Sequence, residues 1–223
     1  MYDQPSPPPS HYEYTIKAAP IAKEQQVKAL AMSAMKMLDG WCSDYKAATL
    51  MNFVWLIRPT TIVEIGVFGG KSLVPMAFAL RATGQGKAYG IDPWSTDAST
   101  AYMEGRNLKY WGTLNHDSVL DRLRQKIIDF DLTNYISLIR NTSEDAEPIQ
   151  NIDILHIDGN HSDECSYGDV IKWTPLVRSG GLIILDDITW HTMNRAPKWL
   201  DENCTRLLRV SDESNAWAVW VKP

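Results

Sequence analysis

Short apolar runs alternate with helical segments from residue 61 to residue 203, and no other feature of this sequence restricts its fold as much. TIVEIG (61–66), KAYGID (87–92), YISLIR (135–140), IDILHID (152–158) and GLIILDD (181–187) read as strands. Helical spacing lies between them at 71–82, 117–130, 162–177 and 194–203, with a shorter helix at 143–150 limited by Pro148. Strands alternating with helices predict a parallel sheet covered on both faces. TRLLRV (205–210) and AWAVWVK (216–222) stand too close for a crossover helix, so they predict an antiparallel hairpin at one edge. The expected fold is α/β: a doubly wound, mostly parallel seven-stranded sheet with a C-terminal antiparallel hairpin.

Two helices are expected before the first strand, over 21–39 and 43–57. Ser43 is placed to cap the second, and Pro59 to stop it. Residues 1–20 carry Pro5, Pro7, Pro8 and Pro9, which predict a flexible arm rather than a helix. A chain of 223 residues suffices for one α/β domain and is short for two, so a single domain is expected over 21–223, opening with helices across 21–58. A formal net charge of -5 argues against nucleic acid as a partner. No apolar run approaches the roughly 20 residues of a membrane span, and the N-terminus lacks a secretory pattern. Cytoplasm is the expected location. Cys42, Cys165 and Cys204 have no zinc-ligand spacing and are expected as reduced thiols.

Ligands of such sheets bind at the carboxyl ends of the strands. Glu64–Gly70, Asp92–Trp94, Arg140–Glu144, Asp158–His161 and Asp186–Trp190 all fall there. Gly66, Gly69 and Gly70 follow a strand and open a helix, where missing side chains let the backbone turn sharply and approach a ligand. Glu64, at the strand end, suits an ammonium group. The loop reads G-x-x-G-G, not the G-x-G-x-x-G of dinucleotide sites. Its Gly70-Lys71-Ser72 ending looks like a P-loop, but that motif needs glycine at 65, where Ile65 stands. A phosphate cradle depends on successive inward N–H groups, so this one-residue displacement weighs against a nucleotide hydrolase. A plain strand-to-helix turn remains the bland alternative.

Asp92 ends the second strand, where an acidic residue about 20 positions past the loop takes ribose hydroxyls. Trp94 either lies against adenine or packs in the core. Ser143 either faces adenine or only caps the following turn. Asp158, Asp186 and Asp187 come from two strand ends expected to be neighbours. Three carboxylates held together repel unless a cation lies among them, and oxygen donors suit magnesium or calcium. Asp158 bound only to cofactor, with Asp187 as a helix cap, is the alternative.

Glu64-Ile65-Gly66-Val67 with Gly69 and Ser72 resembles the first motif of small O-methyltransferases of the Rossmann-like class I S-adenosylmethionine-dependent family. Asp158, then His161 three residues on, then Asp186-Asp187, is similar to the metal-dependent catechol and caffeoyl-CoA types. Those carry lysine where this chain has His161 and asparagine where it has Asp187. The departures, with IDPWS at 91–95, look more like the bacterial branch that includes macrolide-sugar O-methyltransferases. The resemblance covers roughly residues 60–220. It implies cofactor contacts at Glu64, Gly66, Ser72, Asp92, Trp94, Ser143 and Asp158. It also implies magnesium or another divalent metal on Asp158, Asp186 and Asp187, and catalysis by His161 with Asp158.

A histidine is a suitable base for a hydroxyl already acidified by a metal, although His161 could simply be a polar loop residue. His191 is a second candidate base. His116 and His156 read as structural or substrate-adjacent. Residues 95–118 are expected as a long loop whose Tyr102, Met103, Tyr110 and Trp111 face an acceptor or a partner subunit of a homo-oligomer. The expected activity is O-methylation of a small molecule or sugar. The alternatives are a metal-independent enzyme with a histidine base, a nucleotide hydrolase and a non-catalytic cofactor binder.

Overall fold

A computed structural model describes residues 23–211 and 216–223. The arm expected at 1–20 lies outside the described residues, as does most of the joint between the last two strands. Helices α1 (Lys23–Met35) and α2 (Asp44–Ile57) precede strand β1 (Thr61–Ile65). Helix α3 (Leu73–Thr83) and strand β2 (Lys87–Asp92) follow. Next come helices α4 (Thr96–Thr100), α5 (Gly105–Thr113) and α6 (His116–Asp129), then β3 (Ile136–Arg140) and β4 (Ile152–Ile157). Helix α7 (Asp163–Trp173), a 3-10 turn (Thr174–Leu176), β5 (Val177–Leu185), α8 (Arg195–Asn203), β6 (Thr205–Ser211) and β7 (Ala216–Val221) complete the order.

The sheet runs β3-β2-β1-β4-β5-β7-β6. Its first five strands are parallel, and β7 pairs antiparallel with both β5 and β6. The expected α/β sheet with its closing hairpin is therefore what the chain builds. The order reverses between β1 and β4, so the crevice of a doubly wound sheet opens above that pair.

Side chains alternate between sheet faces, and the two faces build separate cores. Ile62, Ile154, Leu182 and Ile184 pack with residues of α1, α2, α3 and α6 on one face. Val63, Leu155, Ile157, Ile183 and Leu185 pack with α7 and α8 on the other. Helix α2 forms because Ala47, Leu50, Met51 and Val54 make a buried stripe and the Ser43 hydroxyl accepts the Lys46 N–H at 3.1 Å. Arg58 ends it in a left-handed conformation (φ 51°), one residue before the expected stop at Pro59.

Two expectations need correction. Residues 95–118 are not one open loop, because α4 and α5 occupy most of the segment. Residues 143–150 form no helix; the Thr142 hydroxyl accepts the Asp145 N–H at 3.0 Å and closes a turn. Local side-chain capping there competes with helix growth. Among the described residues no helix is long and apolar enough to cross a membrane.

Candidate active site

Each ladder continues one residue past its strand. Gly66 N–H donates to Ile91 O at 2.9 Å, Asp158 N–H to Ile65 O at 2.8 Å, and Asp186 N–H to Ile157 O at 3.0 Å. These bonds bring the ends of β1, β2, β4 and β5 side by side. Gly66 adopts φ +81°, and a Cβ there would collide with the Asp158 carbonyl, so only glycine lets the β1 and β4 ends approach this closely. Asp92 anchors the glycine loop. Its Oδ2 accepts the Val67 and Phe68 N–H groups at 3.0 and 2.9 Å, and its Oδ1 accepts Trp94 N–H at 2.7 Å. Burial raises the Asp92 pKa, against the pull of those three amides.

The two-residue period of the strands puts Glu64, His156 and Asp186 on the face that α2 covers. All three are buried. Glu64 Oε1 accepts the Ser72 hydroxyl at 2.7 Å. His156 stands between two carboxylates, with Nδ1 3.3 Å from Glu64 Oε2 and Nε2 3.2 Å from Asp186 Oδ2. Burial pushes Glu64 up to about 8, while the Ser72 hydrogen bond and the Lys46 charge oppose it. Burial, reinforced by Lys46, pulls His156 down to about 3, so its imidazole is neutral.

Lys46 is the residue that the sequence reading missed. Its side chain is 1% exposed, its Nζ donates to Asp186 Oδ2, and it lies 3.7 Å from Asp158 Oδ2. A sequence signal existed: Lys46 lies on the same apolar stripe as Leu50 and Val54, where a charge needs a buried partner. Repulsion within the acidic cluster is thus offset in part by the protein's own cation.

Asp187 points the other way. Its left-handed backbone (φ 52°), which aspartate tolerates, turns its carboxylate outward from Asp186. There Oδ2 meets His161 Nε2 at 2.8 Å, while Asp158 Oδ1 lies 3.9 Å from the same nitrogen. Asp158, His161 and Asp187 are 22%, 17% and 18% exposed and so line the mouth of the crevice. Burial pulls His161 down, but the Asp187 hydrogen bond and the charges of Asp158 and Asp187 outweigh it, and the pKa is raised. Burial raises Asp158. The Trp190 ring covers His161 with centroids 4.9 Å apart.

Donor atoms of His156, Asp158 and Asp186 lie within 4.8 Å of one another, as do those of Asp158, His161 and Asp187. Asp186 Oδ1 is buried without a hydrogen-bond partner. An orphaned carboxylate oxygen beside two overlapping donor groups that share Asp158 fits a hard divalent cation.

The other expected residues separate. Trp94 is in the core, 1% exposed, and its indole N–H donates to Phe68 O at 2.9 Å, so the packing alternative describes it. Ser143 lies on the loop after β3, and its hydroxyl donates to Asp169 of α7. Burial pushes Asp169 up to about 7. His191 is exposed and its carbonyl accepts Asn194 Nδ2 at 3.0 Å. His116 is buried against Trp111. Above the glycine loop, Trp41 and Phe68 stack at 5.6 Å, and Trp111 meets Phe68 edge-on at 5.3 Å. Asn160 Nδ2 donates to Ala101 O at 2.9 Å and ties the α4–α5 cover to the β4 end.

This sheet order, with the candidate site at its strand ends, is the Rossmann-like architecture expected of a class I methyltransferase. A family model described as a methyltransferase domain matches residues 63–188, and the chain belongs to that family. No curated protein sequence matched the chain. Among solved structures, the O-methyltransferase from Bacillus cereus in complex with S-adenosylhomocysteine (SAH) superposes with a TM-score of 0.62 at 14% identity, over 93% of this chain and 94% of that one. The O-methyltransferase NovP gives 0.63 at 18% identity, over 81% and 80%. TomG from Streptomyces achromogenes, an O-methyltransferase involved in tomaymycin synthesis and solved with S-adenosylmethionine, gives 0.60 at 16%, over 92% of each chain.

Proposed function

We propose that this methyltransferase methylates a hydroxyl of a small-molecule acceptor, with His161 as the general base. The observation that carries the proposal is the His161–Asp187 contact of 2.8 Å at the crevice mouth, beside Asp158. Asp187 accepts from Nε2 and fixes the tautomer, which leaves Nδ1 to take the hydroxyl proton. S-adenosylmethionine would supply the electrophilic methyl group, and a divalent ion would make the acceptor hydroxyl more acidic. Asp158 and Asp187 at the crevice mouth would hold that ion, and their oxygen donors favour magnesium, whereas Asp186, expected from the sequence as a third ligand, is turned inward to Lys46. Asp92 beside the glycine loop and Ser143 after β3 would form the cofactor side, and Glu64 with Ser72, buried beneath that loop, would support it. Trp41, Phe68, Trp111 and Trp190 offer ring faces that suit a sugar or an aromatic acceptor.

Calorimetry with SAH and with ATP, followed by radiolabelled methyl transfer to a panel of sugars and phenols, tests the reading. SAH binding and label on oxygen are expected; binding of ATP alone would overturn it. One observation favours a second version of the mechanism. Lys46 contacts Asp158 and Asp186 and offsets their charge without an ion. Turnover that survives exhaustive chelation would establish this metal-free version and remove the ion from the proposal.

A further inference from the structure

We infer that Asp169 is a positioning residue that makes the cofactor pocket selective for adenine, by holding the Ser143 hydroxyl as an acceptor for the base's exocyclic amine. The inference rests on the methyltransferase reading and concerns a residue outside the acid–base site. Helix α7 holds the loop after β3 at several points. Trp173 Nε1 donates to Ser143 O at 3.2 Å, and Lys172 Nζ donates to Ala146 O at 2.8 Å. Ser143 Oγ donates to Asp169 Oδ1. Asp169 is 6% exposed, and its Oδ2 would lie 3.3 Å from a Cβ placed on Gly159. It therefore reaches from the loop after β3 to the loop after β4, both of which follow carboxyl ends of strands.

A serine hydroxyl has one hydrogen and two lone pairs. When the hydrogen is committed to a carboxylate, the oxygen offers only lone pairs, so a base edge that meets it must bring a donor. Adenine carries an amine at C6; hypoxanthine carries a carbonyl there, which would face lone pair to lone pair. Sites built to hydrogen-bond one such group reject the analogue strongly. Without Asp169 the hydroxyl can rotate, donate to the carbonyl and accept either base.

The test compares SAH with S-inosylhomocysteine by calorimetry, in alkaline buffer where Asp169 is ionised despite its burial. The wild-type chain should prefer SAH by at least about tenfold, and Asp169→Ala should reduce the preference to within about threefold. In a Ser143→Ala background, Asp169→Ala should change the ratio no further, because it acts through that hydroxyl. An equal loss of both ligands in Asp169→Ala, which a purely structural role would give, overturns the inference. If Asp169→Ala fails to fold, Ser143→Ala alone must reduce the preference; a retained preference overturns the inference equally. A wild-type chain that binds both ligands alike overturns it and leaves the methyltransferase reading standing. One that binds neither sinks both.

Discussion

Lys46 shows how much one residue decides at this site. Its ammonium is buried against Asp186 and near Asp158, so it offsets charge that would otherwise be unpaired in the protein interior. Removing one partner of a buried pair costs about 3–5 kcal/mol, because the remaining charge is left uncompensated. Lys46→Met should lose that much in denaturant unfolding measured with chelator present, and Lys46→Met with Asp186→Asn should recover part of it. A single substitution within about 0.5 kcal/mol of the wild type would mean the pair contributes nothing. His161 is expected to act on rate alone. His161→Ala should lower turnover by about 10²–10⁴-fold, the usual contribution of a general base. Its SAH dissociation constant should stay close to that of the wild type, since the ring lies at the mouth beside Asp187. Unchanged turnover would remove His161 from the mechanism.

At the scale of elements, the site depends on strands entering the sheet at fixed heights. Asp153, at the start of β4, accepts Thr60 N–H at 2.7 Å and Thr61 N–H at 3.0 Å and pairs with Arg178 of β5. Burial alone would raise its pKa, but Arg178 and the Thr60 and Thr61 bonds outweigh burial, and the pKa is lowered. A carboxylate depressed on folding adds stability that is full above its unfolded pKa of about 3.9 and is lost as pH falls through the folded value. Asp153→Asn should therefore cost about 1–3 kcal/mol at neutral pH, and the gap should close in strong acid. A gap independent of pH in urea titrations would assign the effect to packing.

The α4–α5 cover is a second element-scale feature, tied to the β4 end by Asn160. Asn160→Ala should raise the acceptor KM more than it lowers kcat, because the tie holds the cover and not the reacting atoms. A fall in kcat with unchanged KM would place Asn160 in the chemistry instead.

For the whole molecule, a ligand gripped by several strand ends should stabilise the entire domain. SAH at 100 times its dissociation constant should add about 2.7 kcal/mol by mass action. The shift in thermal midpoint should be the same in His161→Ala and absent in Gly66→Ala, whose Cβ would wedge the β1 and β4 ends apart.

The seven strands in their chain order, the closing hairpin, the glycine loop and the Asp158–His161–Asp186–Asp187 signature were all legible in the sequence, whereas the helices within 95–118 were read as a loop and the turn after β3 as a short helix. Each rests on local periodicity or on short spacing, and those persist whatever the rest of the chain does. Three features were legible only in three dimensions. Trp94 was ambiguous because an aromatic side chain suits a core and a ligand pocket equally, and only packing put it in the core. Asp186 and Asp187 read as one pair, yet a left-handed backbone at Asp187 sends one carboxylate inward and the other outward. Lys46, 140 residues from Asp186 in sequence, meets it because α2 covers the sheet face to which the strand period assigns that side chain. The sequence by itself determined which segments form the sheet and which residues end its strands. Only the tertiary structure decided which of those charges share a buried space, because that depends on how distant segments pack.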